Sequence, residues 1–248
     1  MKALIFAAGL GTRLKPLTDN LPKALVPIAG KPLLEHVIRK LKANGFNEII
    51  INVHHFPDQI IDFLKLNDNF GIRIEVSDER NELLDTGGGI RKAAWFFDDG
   101  KPFLVHNVDI LSNVDLTSLY NQHLRTNTLA TLVVSQRNTF RYLLFDDDLR
   151  LKGWINEKNG ETKPKGLTRP TLFTKLAFSG IQILSPQVFD VMEQFPTKFP
   201  IIDFYLTNAA SQIITGFIPL DYTMLDVGKL NVLDEAEKFV MAQSSELH

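Results

Sequence analysis

Apolar residues recur along this chain in two distinct periods. Leu33, Leu34, Val37, Ile38 and Leu41 follow the three-to-four spacing of a helix with one buried face, and Gly45 stands where such a helix commonly stops. Ile49, Ile50, Ile51 and Val53 read as a strand, Ile60, Ile61 and Leu64 as a second helix, and Ile72, Ile74 and Val76 as a further strand. Residues 87–97 suit a third helix, and Phe103, Leu104 and Val105 form a strand that delivers Asp109 just beyond its carboxyl end. Ahead of all these lies a short apolar run, Ala3 to Phe6. Alternation of this kind predicts an α/β, Rossmann-like fold: a mostly parallel sheet flanked by helices, with its ligand beyond the carboxyl ends of the strands.

The middle of the chain has a different pattern. Segments 130–134, 142–145 and 149–155 look like short strands separated by polar or Asp-rich turns, which predicts a small antiparallel excursion. Residues 156–175, rich in Lys, Thr, Pro and Gly, read as a long surface loop near the site. A helix over 232–241 follows near the end. No shift in composition marks a boundary, so residues 1–248 are read as one domain.

Composition narrows the chemistry. The 248 residues are 44% hydrophobic, enough for a substantial core, and the net charge of −2 gives no overall attraction to nucleic acid or to an anionic membrane. A small-molecule partner is therefore expected. With no cysteine, thiolate metal sites, disulfides and cysteine nucleophiles are excluded. The first residues form a core-like strand rather than a signal peptide, and no apolar run approaches the roughly 20 residues needed to cross a bilayer, so a soluble cytoplasmic protein is expected.

The candidate chemistry concentrates between Lys2 and Lys23. The first strand ends in Ala7, Ala8 and Gly9, whose small side chains let a ligand approach the backbone, and Gly9 and Gly11 permit tight turns. Thr12 adds a hydroxyl, Arg13 a guanidinium fork suited to phosphate, and Lys23 a second cation on a segment stiffened by Pro22 and Pro27. A dinucleotide fingerprint would need glycine where Leu14 stands, and no Walker A sequence occurs. His54 and His55 are neighbours on a strand and point to opposite faces, which argues against a joint role.

AAGLGTRLKPLT, followed by LPKALVPIAGKPLLEHVI, resembles the signature of the sugar-1-phosphate nucleotidyltransferases. The likeness continues in DTGGGI (residues 85–90), HNVDI (106–110), AFSGIQI (177–183) and LDVGKLNVLDEAE (225–237), and so spans nearly the whole chain. The resemblance implies the nucleotide-diphospho-sugar transferase fold, an NTP and a sugar 1-phosphate as substrates, and Mg²⁺ held by Asp109 and Asp226. It implies that Arg13 stabilises the departing pyrophosphate and that Lys23 contacts the phosphates at the reaction centre. Ala8, Gly9, Gly11 and Thr12 would line the nucleotide loop, Gly87 and Gly88 would present backbone amides to the base, and Asn107, Ser179 and Gly180 would shape the sugar pocket. Read without the resemblance, DTGGGI is equally a helix start whose glycines allow close packing.

The chain departs from the family pattern in three places. Val108 stands where Gly or Ala commonly precedes the first metal aspartate, and the final motif lacks the frequent Gly-Thr-Pro. The Glu-Lys-Pro motif for the sugar phosphate is missing, leaving Lys158, Lys163, Lys165 and Lys175 as alternatives. The short length, the AAG opening and the DTGGGI segment resemble N-acetylmuramate-1-phosphate uridylyltransferases of cell-wall sugar recycling, which makes UTP the first expected donor. Mannose or heptose 1-phosphate guanylyltransferase, phosphocholine cytidylyltransferase, and a catalytically silent regulatory protein are the alternatives.

Overall fold

A computed structural model describes residues 1–167 and 169–245. Its strands are β1 (Lys2–Phe6), β2 (Pro27–Ile28), β3 (Lys31–Pro32), β4 (Glu48–Val53), β5 (Arg73–Asp78), β6 (Phe103–Asn107), β7 (Ile110–Ser112), β8 (Ala130–Ser135), β9 (Arg141–Phe145), β10 (Leu151–Asn156), β11 (Glu161–Lys163), β12 (Thr174–Leu184), β13 (Ile214–Phe217) and β14 (Met224–Asp226). Its helices are α1 (Leu33–Ala43), α2 (Pro57–Leu66), α3 (Asp85–Lys92), α4 (Leu116–Thr126), α5 (Val188–Met192), α6 (Ile201–Asn208) and α7 (Leu233–Ser245). The chain forms two compact units, one of residues 1–83, 106–116 and Thr223 onward, the other of 84–105 and 117–222.

In the first unit β1, β4 and β5 run parallel, with Phe6 beside Asn52 and Asn52 beside Ser77. Ile49, Ile50, Ile51 and Val53 are fully buried in the middle strand, each worth roughly 1.5–3 kcal/mol of removed apolar surface. The predicted face of α1 is the buried one: Leu33, Leu34, Val37, Ile38 and Leu41 face the core while Arg39 and Lys42 remain exposed. Gly45, at φ 80°, follows the last turn, and its N–H donates to the Lys42 carbonyl at 3.0 Å. Two very short antiparallel pairs complete this unit, β2 with β3 and β7 with β14.

The second unit is mainly antiparallel. β12 pairs with β8 and β9, β9 with β10 and β10 with β11, while β13 joins β8 in parallel. The fold class is thus the expected α/β one, with a mixed sheet and flanking helices, and its antiparallel part extends beyond the three strands predicted. The expected loop over 156–175 contains β11, which pairs Lys163 with Trp154. Thr168 of that segment lies outside the described residues. The helix expected over 87–97 divides into α3 and a single 3₁₀ turn at Ala94–Phe96. The three glycines lie inside α3, and the division falls after them at Ala93, whose φ of −84° and ψ of 2° leave the α-helical range.

Candidate active site

The turn after β1 is built for close approach. Gly11 has φ 65°, and a Cβ there would stand 2.9 Å from Thr18 Cγ2 and 3.1 Å from Lys23 Cβ, so both conformation and space demand glycine. Buried Thr18 donates its hydroxyl to the Gly11 carbonyl at 2.8 Å and fixes the loop. Gly9 is different. Its φ is not positive, and a Cβ there would meet no protein atom within 4 Å, so the protein itself leaves the space above Gly9 open. A cavity of about 330 Å³ is lined by Gly9, Leu10, Gly11, Thr12, Arg13, Lys23 and Gly228, within the range of about 300–1,000 Å³ typical of small-ligand sites.

Lys23 follows Pro22, in a 3₁₀ turn that buries it to 8% exposure, and its ammonium donates to Asp109 Oδ2. The partners are 86 positions apart. Asp109 occupies the bend between β6 and β7, where the Val108 N–H donates to the Phe6 carbonyl at 3.1 Å and the Val227 N–H donates to the Asp109 carbonyl at 2.8 Å. The β7–β14 pair sets Asp226 opposite Ile110 and so brings the second aspartate beside the first. A Cβ on Gly228 would stand 2.7 Å from Arg13 Nη2 and 2.7 Å from Asp226 Oδ1, so the guanidinium and the carboxylate flank the open face of this glycine.

The structure therefore gathers Gly9, Gly11, Thr12, Arg13, Lys23, Asp109 and Asp226 in one unit, with Ala8 at the start of the loop. Two aspartates offer hard oxygen donors. Among the described residues no cluster of three His, Cys, Asp or Glu side chains forms a complete cage. That donor set fits Mg²⁺, which binds through one or two carboxylates and completes its shell with water and substrate phosphates.

The two glycines expected to face the base have internal partners in the second unit. The Gly87 and Gly88 N–H groups both donate to the Phe199 carbonyl, at 2.8 and 3.3 Å. A Cβ on Gly87 would meet the Phe199 ring at 2.2 Å, and one on Gly88 the Thr197 carbonyl oxygen at 2.3 Å. Their amides are thus engaged within the protein, and glycine is required there for packing. Ser179 and Gly180 lie in the second unit at an irregularity between β12 and β8, with Gly180 at φ 74° and the Ser179 hydroxyl buried without a hydrogen-bond partner. Among the candidate lysines, Lys163 pairs with Asp203 and Lys175 with Glu157, each at 2.7 Å.

Two polar groups close to this site escaped sequence reasoning. Lys40, on the half-buried flank of α1, donates to the Ser112 carbonyl and anchors the end of β7; burial lowers its pKa to about 8, against an opposing attraction from Asp115. His106 is fully buried, and desolvation lowers its pKa to about 4. Its Nδ1 lies 2.8 Å from the Asn107 carbonyl, which can only accept, so the neutral ring carries its proton on Nδ1. Helical spacing marks Lys40 only as a polar-face residue, and nothing in the sequence shows its target.

A family model described as Nucleotidyl transferase matches residues 2–243. The chain belongs to that family. It is 34% identical over 199 residues to the N-acetylmuramate alpha-1-phosphate uridylyltransferase of Neisseria meningitidis, covering 78% of this chain and 79% of the relative. It is 32% identical over 233 residues to a rice protein named as a probable mannose-1-phosphate guanylyltransferase 3, covering 92% of this chain and 62% of the relative. The chain spans about three fifths of the longer curated relatives it matches. A solved UDP-glucose pyrophosphorylase complexed with UDP-glucose superposes with a TM-score of 0.76 at 19% identity over 98% of both chains, which shows the shared fold. The cavity in the first unit is lined from the AAGLGTR segment, Lys23 and Gly228. No helix among the described residues is long and apolar enough to cross a membrane.

Proposed function

We propose that the protein is a Mg²⁺-dependent sugar-1-phosphate nucleotidyltransferase, which joins an NTP and a sugar 1-phosphate into a nucleotide sugar and releases pyrophosphate. The observation that carries this reading is the Lys23–Asp109 pair set against the glycine loop, with Asp226 and Arg13 on either side of Gly228.

The nucleophile is the sugar's phosphate oxygen, already an anion, so the protein has no proton to remove. It must hold two anions together and stabilise the charge that collects on the leaving pyrophosphate. The open backbone from Gly9 to Thr12 admits the triphosphate, and the exposed Arg13 fork is suited to its outer phosphates. Lys23 is already desolvated, and its flexible stem lets the ammonium turn from Asp109 to a phosphate oxygen. Bound at Asp109 and Asp226, Mg²⁺ supplies further neutralisation of the phosphates. The attacking oxygen bonds to the α-phosphorus as the bond to pyrophosphate breaks. Asn107, Ser179 and Gly180 are the proposed sugar contacts.

UTP is the favoured donor, because the Neisseria uridylyltransferase matches this chain over most of both lengths. GTP with a mannose-type phosphate is the second reading, favoured by the rice relative's coverage of 92% of this chain. Pyrophosphate release, measured with Mg²⁺ for four NTPs against several sugar 1-phosphates and phosphocholine, tests both. Turnover with one particular pair, abolished by Asp109→Asn, is expected. Silence across the matrix with NTP binding intact overturns the enzyme reading in favour of a nucleotide-binding regulator.

A further inference from the structure

The first unit contains a buried hydrogen-bond relay across the carboxyl ends of three strands. At the end of β1 the chain leaves the sheet for the glycine loop, so the Ala7 N–H loses the backbone partner that a continuing ladder would give it. Asn52, in register with Phe6, replaces that partner: its Oδ1 accepts from the Ala7 N–H at 2.8 Å. On the other side Asn52 Nδ2 donates to Glu79 Oε1 at 2.9 Å. Asn52 is 2% exposed and Glu79 1%, so neither group has water as an easy substitute. Glu79 is itself fixed by its backbone: its N–H donates to the Val53 carbonyl at 2.7 Å, and its carbonyl accepts from His54 Nδ1, also at 2.7 Å.

The chemistry of the relay gives it a direction. An N–H can only donate, so the Asn52 oxygen must face Ala7, which turns its NH₂ toward Glu79, where only an acceptor will serve. Ala7 directly precedes Ala8 and Gly9, where the loop's approach surface begins. We propose that Asn52, oriented by Glu79, is a positioning residue that sets the start of the nucleotide loop and hence the affinity for the NTP. The relay deepens the proposed nucleotidyltransferase reading and rests on it for its consequence in catalysis.

The test reverses the polarity of the relay. Asn52→Asp places a second carboxylate against Glu79 in a buried site, where one must be repelled or protonated. Adding Glu79→Gln returns a donor opposite the new acceptor, so Asn52→Asp/Glu79→Gln restores a donor–acceptor pair between the two side chains with its direction exchanged, while the Ala7 N–H keeps its acceptor. Glu79→Gln alone costs less than Asn52→Asp, because its carboxamide oxygen still accepts. KM for the NTP should rise about tenfold in Asn52→Asp with a smaller change in kcat, and should recover to within about threefold in the double variant, a tenfold change corresponding to about 1.4 kcal/mol. Amide hydrogen exchange at Ala7 should follow the same order, whether or not turnover is seen. If wild-type protein releases no pyrophosphate with any pair, the enzyme reading fails, and the exchange at Ala7 still decides the relay. An Asn52→Asp protein that fails to fold while the double variant folds supports the relay. Unchanged KM and Ala7 protection in Asn52→Asp, or a double variant no better than the single one, overturns it.

Discussion

Gly228→Ala separates the geometry of the site from the stability of the fold. The backbone at this position is not in the left-handed region, so alanine brings no conformational strain. Its Cβ would nevertheless stand 2.7 Å from both Arg13 Nη2 and Asp226 Oδ1. Carbon packs against such atoms at roughly 3.5 Å, so each group must retreat by about 0.8 Å. Both are the ends of exposed side chains, which can move aside cheaply. The stability cost should therefore stay below about 1 kcal/mol, a fall in Tm of no more than about 4 °C for a chain of this size. Function is less tolerant. A displacement near 1 Å in positioned charges costs on the order of 100-fold, so kcat/KM for the NTP should fall about 10- to 100-fold. Thermal unfolding beside steady-state pyrophosphate release reads the two effects separately. Activity within twofold of wild type would refute the argument that this gap receives the phosphates, whereas a large loss of Tm would show that the glycine serves packing instead.

Other positions test neighbouring parts of the reasoning. Gly9→Ala should leave Tm unchanged or raise it slightly, since no protein atom lies within 4 Å, while KM for the NTP rises because the added methyl projects into ligand space. Gly88→Ala should do the opposite: its Cβ would meet the Thr197 carbonyl at 2.3 Å, which predicts destabilisation of about 2 kcal/mol or more and a clear loss of Tm. For pH, His123 is buried between Thr131 Oγ1 at 2.8 Å and Ser185 Oγ at 2.9 Å, and desolvation lowers its pKa to about 4. The folded state therefore favours the neutral ring. That contribution is fully present above the unfolded pKa of about 6.5 and is lost as pH falls toward 4, by at most about 3 kcal/mol. Urea midpoints measured from pH 8 to 5 should fall more steeply for wild type than for His123→Gln; parallel curves would rule out His123 as the source.

What the sequence determined by itself was local. The face of α1 follows from the spacing of Leu33 to Leu41, and β4 from its run of isoleucines, because burial of a periodic apolar stripe dictates which side turns inward. The candidate loop is legible for a related reason: strand end, glycines, Arg13 and Lys23 lie within 23 residues, so their proximity needs no knowledge of the rest of the chain. Asp109 and Asp226 could be paired only through a family likeness, since β7 and β14 are three residues each, too short to show a period, and only tertiary pairing sets them side by side. DTGGGI shows the limit most clearly. Three glycines announce that something approaches the backbone closely, and the chain alone does not say what; the fold fills that space with Phe199 and Thr197. Asn52 carries no signal at all, because an amide at the end of an apolar strand acquires a role only when two neighbouring strands bring it a donor on one side and an acceptor on the other. Periodicity specifies which way a residue faces, whereas a partner distant in sequence is specified only by the packing that brings it near.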